Sequence, residues 1–141
     1  MASPRLLVLV QDPRDRLSVI TQLRHRFEVL SPVSSPPTVR AVRETRAELV
    51  LIGLHPRSVS PSLRLCLAIK TDRKAPRVVV WDPGGASDPQ SAIETHLADA
   101  YVRGQAPPKE FAQWLESFTT GDTLEGPVKL GLFRRIFSPK N

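Results

Sequence analysis

Leu6-Leu7-Val8-Leu9-Val10-Gln11-Asp12-Pro13 is the stretch on which the fold turns. Five apolar residues follow one another without alternation, which suits a strand covered on both faces, as in a parallel sheet, and Gln-Asp-Pro ends the run sharply. The same signature returns at Leu49-Val50-Leu51-Ile52, broken by Gly53-Leu54-His55-Pro56, and at Arg77-Val78-Val79-Val80-Trp81, followed by the turn Asp82-Pro83-Gly84-Gly85. Two shorter runs, Glu28 to Val33 and Ala100-Tyr101-Val102-Arg103, complete a set of five predicted strands.

Between the strands the apolar period changes to that of helices. Leu17, Ile20, Leu23 and Phe27 recur at helical spacing behind Asp12 or Asp15 as caps, and Val39 and Val42 mark a short amphipathic helix over Thr38 to Arg46. A third helix is expected over Pro61 to Asp72, with Leu63, Leu67 and Lys70 along one line and Leu65, Cys66 and Ile69 beside it. A fourth is expected over Asp88 to Ala98, presenting Ile93 and Leu97. Pro107-Pro108 opens a last one through Phe118, striped by Phe111, Trp114, Leu115 and Phe118. Five strands alternating with five helices predict an α/β protein with one doubly wound, five-stranded parallel sheet in the flavodoxin-like order 2-1-3-4-5. The expected organisation is a domain over residues 1–120, then a linker and a basic, aromatic C-terminal segment over 121–141.

A chain of 141 residues can bury one sizeable core. No apolar run approaches the roughly 20 residues that cross a bilayer, and Leu6 to Val10 is too short for a signal-peptide core, so the expected location is the cytoplasm. The single cysteine, Cys66, has no disulfide partner within the chain and lies in an apolar helical segment, where packing is its expected role. His25, His55 and His96 are scattered without ligand spacing, and neither a metal nor a cofactor is expected. A net charge of +6 invites a nucleic-acid reading. The arginines, however, are spread among acids and no nucleic-acid-binding signature accompanies them, so nucleic acid is not an expected partner.

Three local patterns in this order, Asp12-Pro13-Arg14-Asp15-Arg16 after the first strand, Ala98-Asp99-Ala100-Tyr101-Val102 at the fifth, and Pro108-Lys109-Glu110-Phe111 at the last helix, resemble the receiver domains of bacterial response regulators, the CheY-like family. The resemblance spans roughly residues 5 to 119. It implies a phosphoacceptor aspartate at the end of strand three, an acidic pair after strand one that holds magnesium, a small hydroxyl residue ending strand four and a lysine after strand five. Such chemistry needs a carboxylate nucleophile, a hard-cation site and a positive charge for the phosphoryl oxygens. The positions that correspond hold Val10 and Gln11, Gly53, Trp81 and Gly104. A one-residue shift would bring Asp12 into the acidic pair but would supply no acceptor. The resemblance therefore implies a degenerate, pseudo-receiver domain, with no catalytic residues and no phosphorylation at the usual site.

In an active receiver the hydroxyl residue moves inward and an aromatic residue of strand five follows it. Trp81 is expected either to lock that face, with Tyr101 and Arg103 presented to a partner, or simply to plug the end of the sheet. On a helical wheel Leu130, Leu132, Phe133, Ile136 and Phe137 gather on one side of the terminal segment, opposite Arg134 and Arg135. Leu130, Phe133, Arg134, Arg135 and Phe137 are thus candidate partner-binding residues, whether the segment packs on its own domain, on a second copy in a homodimer, on a protein partner or on a membrane surface. The functional expectation is a phosphorylation-independent, non-enzymatic adaptor in bacterial signalling, polarity or motility. It would bind protein through the face of helix four, strand five and helix five, or through the terminal segment, in the cytoplasm or at a membrane or cell pole. The alternative is a flavodoxin-like domain binding a nucleotide or small anion near Asp82 to Gly85.

Overall fold

The structure is a computed structural model that describes residues 3–31, 37–104, 111–112 and 115–116, together with the backbone of 136–137. Its order is β1 (Arg5–Leu9), α1 (Pro13–Leu23), β2 (Glu28–Leu30), α2 (Val39–Thr45), β3 (Leu49–Gly53), α3 (Val59–Lys70), β4 (Arg77–Asp82), β5 (Ala100–Arg103) and β6 (Ile136–Phe137). Residues 89–95, between β4 and β5, are helical and close in a π turn at Ser91–Thr95. All pairings are parallel and the strand order is β2-β1-β3-β4-β5-β6. The expected order 2-1-3-4-5 is present, with one short strand added at its edge.

Strand alternation divides the core in two. On one face Leu6, Val8, Val10, Leu51, Val79, Trp81 and Val102 pack with Val19 and Leu23 of α1 and with Phe111 and Leu115, which are helical residues. On the other, Leu7, Leu9, Val50, Ile52, Val80 and Tyr101 pack with Val42 of α2, with Leu63, Cys66 and Ile69 of α3, and with Ile93. The helices begin where the sequence caps them. Asp12 accepts the amides of Arg14 and Asp15 at 2.8 and 3.2 Å, and the Thr38 hydroxyl accepts that of Ala41 at 3.1 Å. Arg26 bridges to Glu116 at 3.0 Å and ties the end of α1 to the last helical residues.

Four sequence expectations need correction. Leu17 is 68% exposed, because α1 turns Val19 and Leu23 toward the sheet and Leu17, two positions before Val19, falls on the far side. Leu97 is 45% exposed: helical backbone stops at Thr95, and Leu97 itself sits at φ 62, outside any helix. In α3 the central buried line is Leu63, Cys66 and Ile69, while Lys70 turns to Asp99 in an ion pair of 2.7 Å. Lastly, Ile136 and Phe137 form a strand rather than a helical face. The physical reason is the open edge of β5, whose unpaired backbone groups accept an extended segment and no helix. Trp114 and Phe118 lie outside the described residues, as do Leu130, Leu132, Phe133, Arg134 and Arg135.

Leu23 is fully buried. Leu23→Ala is therefore expected to cost about 2–5 kcal/mol of unfolding free energy by urea titration, whereas Leu17→Ala stays within about 0.5 kcal/mol. Equal losses would place α1 in a different rotation about its axis.

Candidate functional site

In a doubly wound sheet the site lies at the carboxyl ends of the strands. Here β1, β3, β4 and β5 bring Val10, Gly53, Trp81 and Gly104 together, the positions singled out in the sequence, with Asp82 and Arg103 beside them. Gly53 pairs with Trp81 in register. A Cβ on Gly53 would stand 2.9 Å from Cγ2 of Val10 and 3.3 Å from its Cγ1. Valine is branched at Cβ and stiff, so it does not swing aside cheaply. Glycine at 53 is thus what lets β3 pass the valine at the end of β1.

Trp81 is fully buried, and its indole Nε1 donates to the carbonyl of Gly104 at 3.0 Å. Gly104 has φ 139, a conformation that disfavours side chains. The glycine where a lysine would stand is therefore required by the same bend that offers its carbonyl to the indole. Gln11 is exposed and accepts from the Ser58 hydroxyl at 2.9 Å, while the Asp12 carboxylate is occupied as the cap of α1. Asp15 is held above the ordinary carboxylate range by partial burial and by Asp12, with His55 acting in the opposite direction.

Asp82 is the buried charged residue of this pole, fully enclosed. Its carboxylate accepts the amides of Ala86 and Ser87 at 2.8 and 2.9 Å and the hydroxyl of Tyr101. A buried carboxylate is tolerable only with such partners. The Tyr101 hydroxyl also lies 3.1 Å from the Ser87 carbonyl, which accepts from Arg103 Nη2 at 3.2 Å, and the Arg103 guanidinium stands 5.9 Å from the centre of the Tyr101 ring. Burial, then the bond to Asp82 and its charge, hold the Tyr101 phenol above its usual pKa, with Arg103 opposing. The loop 83–88 is stitched to β5 by these contacts.

Tyr101 is fully buried and so is Trp81, which corrects the expectation that they meet a partner directly. Arg103 is exposed. The fourth helical segment of the expected face is reduced to residues 89–95. Of the terminal candidates, Phe137 has its backbone in β6, and Leu130, Phe133, Arg134 and Arg135 lie outside the described residues. Sequence reasoning missed Asp82 as the organising carboxylate. Its signal was an aspartate at a strand end before Pro-Gly-Gly, where a short acidic side chain can collect loop amides.

Among the described residues no group of three His, Cys, Asp or Glu could hold a metal, and no helix is long and apolar enough to cross a membrane. A hollow of about 570 Å³ lies elsewhere, lined by Arg43, Ala68, Thr71, Asp72 and Lys74. Its basic residues stand near the carboxyl ends of α2 and α3, where positive charge complements the helix dipoles.

Solved structures similar to this chain include receiver domains and response regulators. The beryllofluoride-activated DrrB receiver domain is 18% identical, with a TM-score of 0.64 over 84% of this chain and 98% of that one. The chain has the receiver fold. The receiver domain of the response regulator NarL from Mycobacterium tuberculosis is 14% identical, with a TM-score of 0.66 over 86% and 99% of the two chains. A LuxR-family response regulator from Aurantimonas sp. SI85-9A1 is 18% identical, with a TM-score of 0.65 over 98% and 91%. Compared with described protein families and with curated proteins, the sequence matches none. The likeness concerns the receiver fold; the chemistry at its pole is this chain's own.

Two outcomes follow. Gly53→Asp is expected to cost about 1–3 kcal/mol through overpacking, and Val10→Ala in the same chain to recover part of it; a neutral single variant would show that the valine does not limit the site. At alkaline pH the sign is also fixed. Burial, with Asp99 adding and Lys70 opposing, raises Cys66 from 9.0 to about 12, and Tyr101 is likewise raised. The unfolded chain then gives up these protons first, so stability is whole below pH 9 and falls as the pH rises toward 12. The Cys66 contribution is at most about 1.4 kcal/mol per pH unit. Cys66→Ala should flatten the decline in urea titrations across that range, and an unchanged slope would remove the thiol from the account.

Proposed function

We propose that the chain is a phosphorylation-independent receiver-fold module that acts by binding another protein, an adaptor in bacterial signalling, polarity or motility. The observation that carries this reading is the approach of Val10 to Gly53: the position where a receiver carries its acceptor has no carboxylate and no room for one. Two further features support it. Trp81 and Gly104 replace the hydroxyl and lysine positions and bond to one another. The Asp82 carboxylate accepts the Tyr101 hydroxyl and so holds that ring inward within the protein's own contacts. In this reading Trp81 and Tyr101 shape the surface from within, and Arg103, with the exposed residues Gly84 to Ala86, forms the contact.

The small-anion alternative is disfavoured by the same carboxylate. The amides of Ala86 and Ser87, which an anion would need, are already taken by Asp82. Binding through the terminal segment, to protein or membrane, remains part of the proposal.

Affinity capture from the native cell tests it. The expected result is one protein retained equally with and without prior acetyl phosphate and magnesium, and lost with Arg103→Glu bait. Retention only after phosphate treatment would contradict the proposal, as would a partner indifferent both to Arg103→Glu and to alanine at Phe133, Arg134, Arg135 and Phe137.

A further inference from the structure

The edge of β5 is filled by the chain itself. Ile136 pairs with Tyr101 and Phe137 with Val102, parallel to β5, after a connection of more than thirty residues. Without β6, β5 would end the sheet with a row of unpaired amides and carbonyls. The residues it would expose at that edge, Ala100, Tyr101 and Val102, are buried on both faces of the sheet, so the edge offers an apolar, hydrogen-bonding slot rather than a charged one.

The segment leading into β6 has the pattern such a slot accepts. Leu130, Leu132 and Ile136 alternate with Gly131, Phe133 and Phe137, interrupted by Arg134 and Arg135. A period of two with apolar residues in both rows is the pattern of a strand covered on both sides. Among the described residues Ile136 and Phe137 lie at the edge of the sheet, paired on one side to β5, and an edge strand opens more readily than a central one.

We propose that the β5 edge is a strand-binding site and that the strand Ile136–Phe137 is its built-in ligand. The ligand class is an extended segment with apolar residues at alternate positions, added parallel to β5 through main-chain hydrogen bonds. Tethering keeps this occupant at a high effective concentration, so a free segment of the same sequence competes poorly in the unaltered chain and binds once the resident is disabled. It stands on the pairing of β6 with β5.

The test uses the full chain. In the unaltered protein, backbone NOEs between Tyr101 or Val102 and Ile136 or Phe137 are expected; their absence overturns the proposal. The variant I136P/F137P removes both amide donors, whichever faces β5. Hydrogen exchange at residues 100–103 should then rise at least about tenfold while that of β3 is kept. A fluorescein-labelled peptide of residues 128–141 should bind the variant saturably and the unaltered chain at least about tenfold more weakly. Unchanged exchange in β5, equal binding to both chains, or binding to neither contradicts it.

Discussion

The central strands are apolar on both faces through most of their length, and the rest of the molecule answers to that constraint. Leu6 to Val10, Leu49 to Leu54 and Val78 to Trp81 are all buried. Strands of this kind need cover on both sides, which calls for parallel order, crossover connections and helices on each face. The same constraint reaches the carboxyl pole. Where a receiver changes from apolar core to carboxylates and hydroxyls, this chain continues the core with Val10, Gly53 and Trp81, and closes it with a bond from the indole to Gly104.

One charge is admitted into that pole, and it is consumed internally. Asp82 has the loop amides of Ala86 and Ser87 and the hydroxyl of Tyr101 as partners, so it orders the loop after β4 and anchors the ring on β5. Removing a partner of a buried carboxylate is expensive, so these contacts hold the loop and the ring together. The sheet edge at β5, by contrast, is covered by the short described strand β6.

The fold was largely legible because its signal is contiguous: uninterrupted apolar runs at Leu6, Leu49 and Val78, punctuated by Pro and Gly, leave few architectures open. The sequence also singled out Val10, Gly53, Trp81 and Gly104, and the strands bring these four to one pole. What the sequence concealed depends on rotation, length or partners. Leu17 fits a helical stripe on paper and points outward in α1; Leu97 continues the period of a helix that ends before it. Tyr101 was expected to face a partner, and its burial depends on Asp82, nineteen positions away and holding its hydroxyl. Ile136 and Phe137 fit a helical stripe on paper, yet they pair with β5, whose edge accepts extended backbone.

The central claim is that the carboxyl pole is closed to phosphoryl chemistry by packing. It is tested most directly by a two-dimensional amide NMR titration of the full chain with beryllofluoride and magnesium. The account predicts no saturable shift at Gly53, Tyr101, Gly104 or the Trp81 indole. A saturable shift at these positions, dependent on both ions, would contradict it.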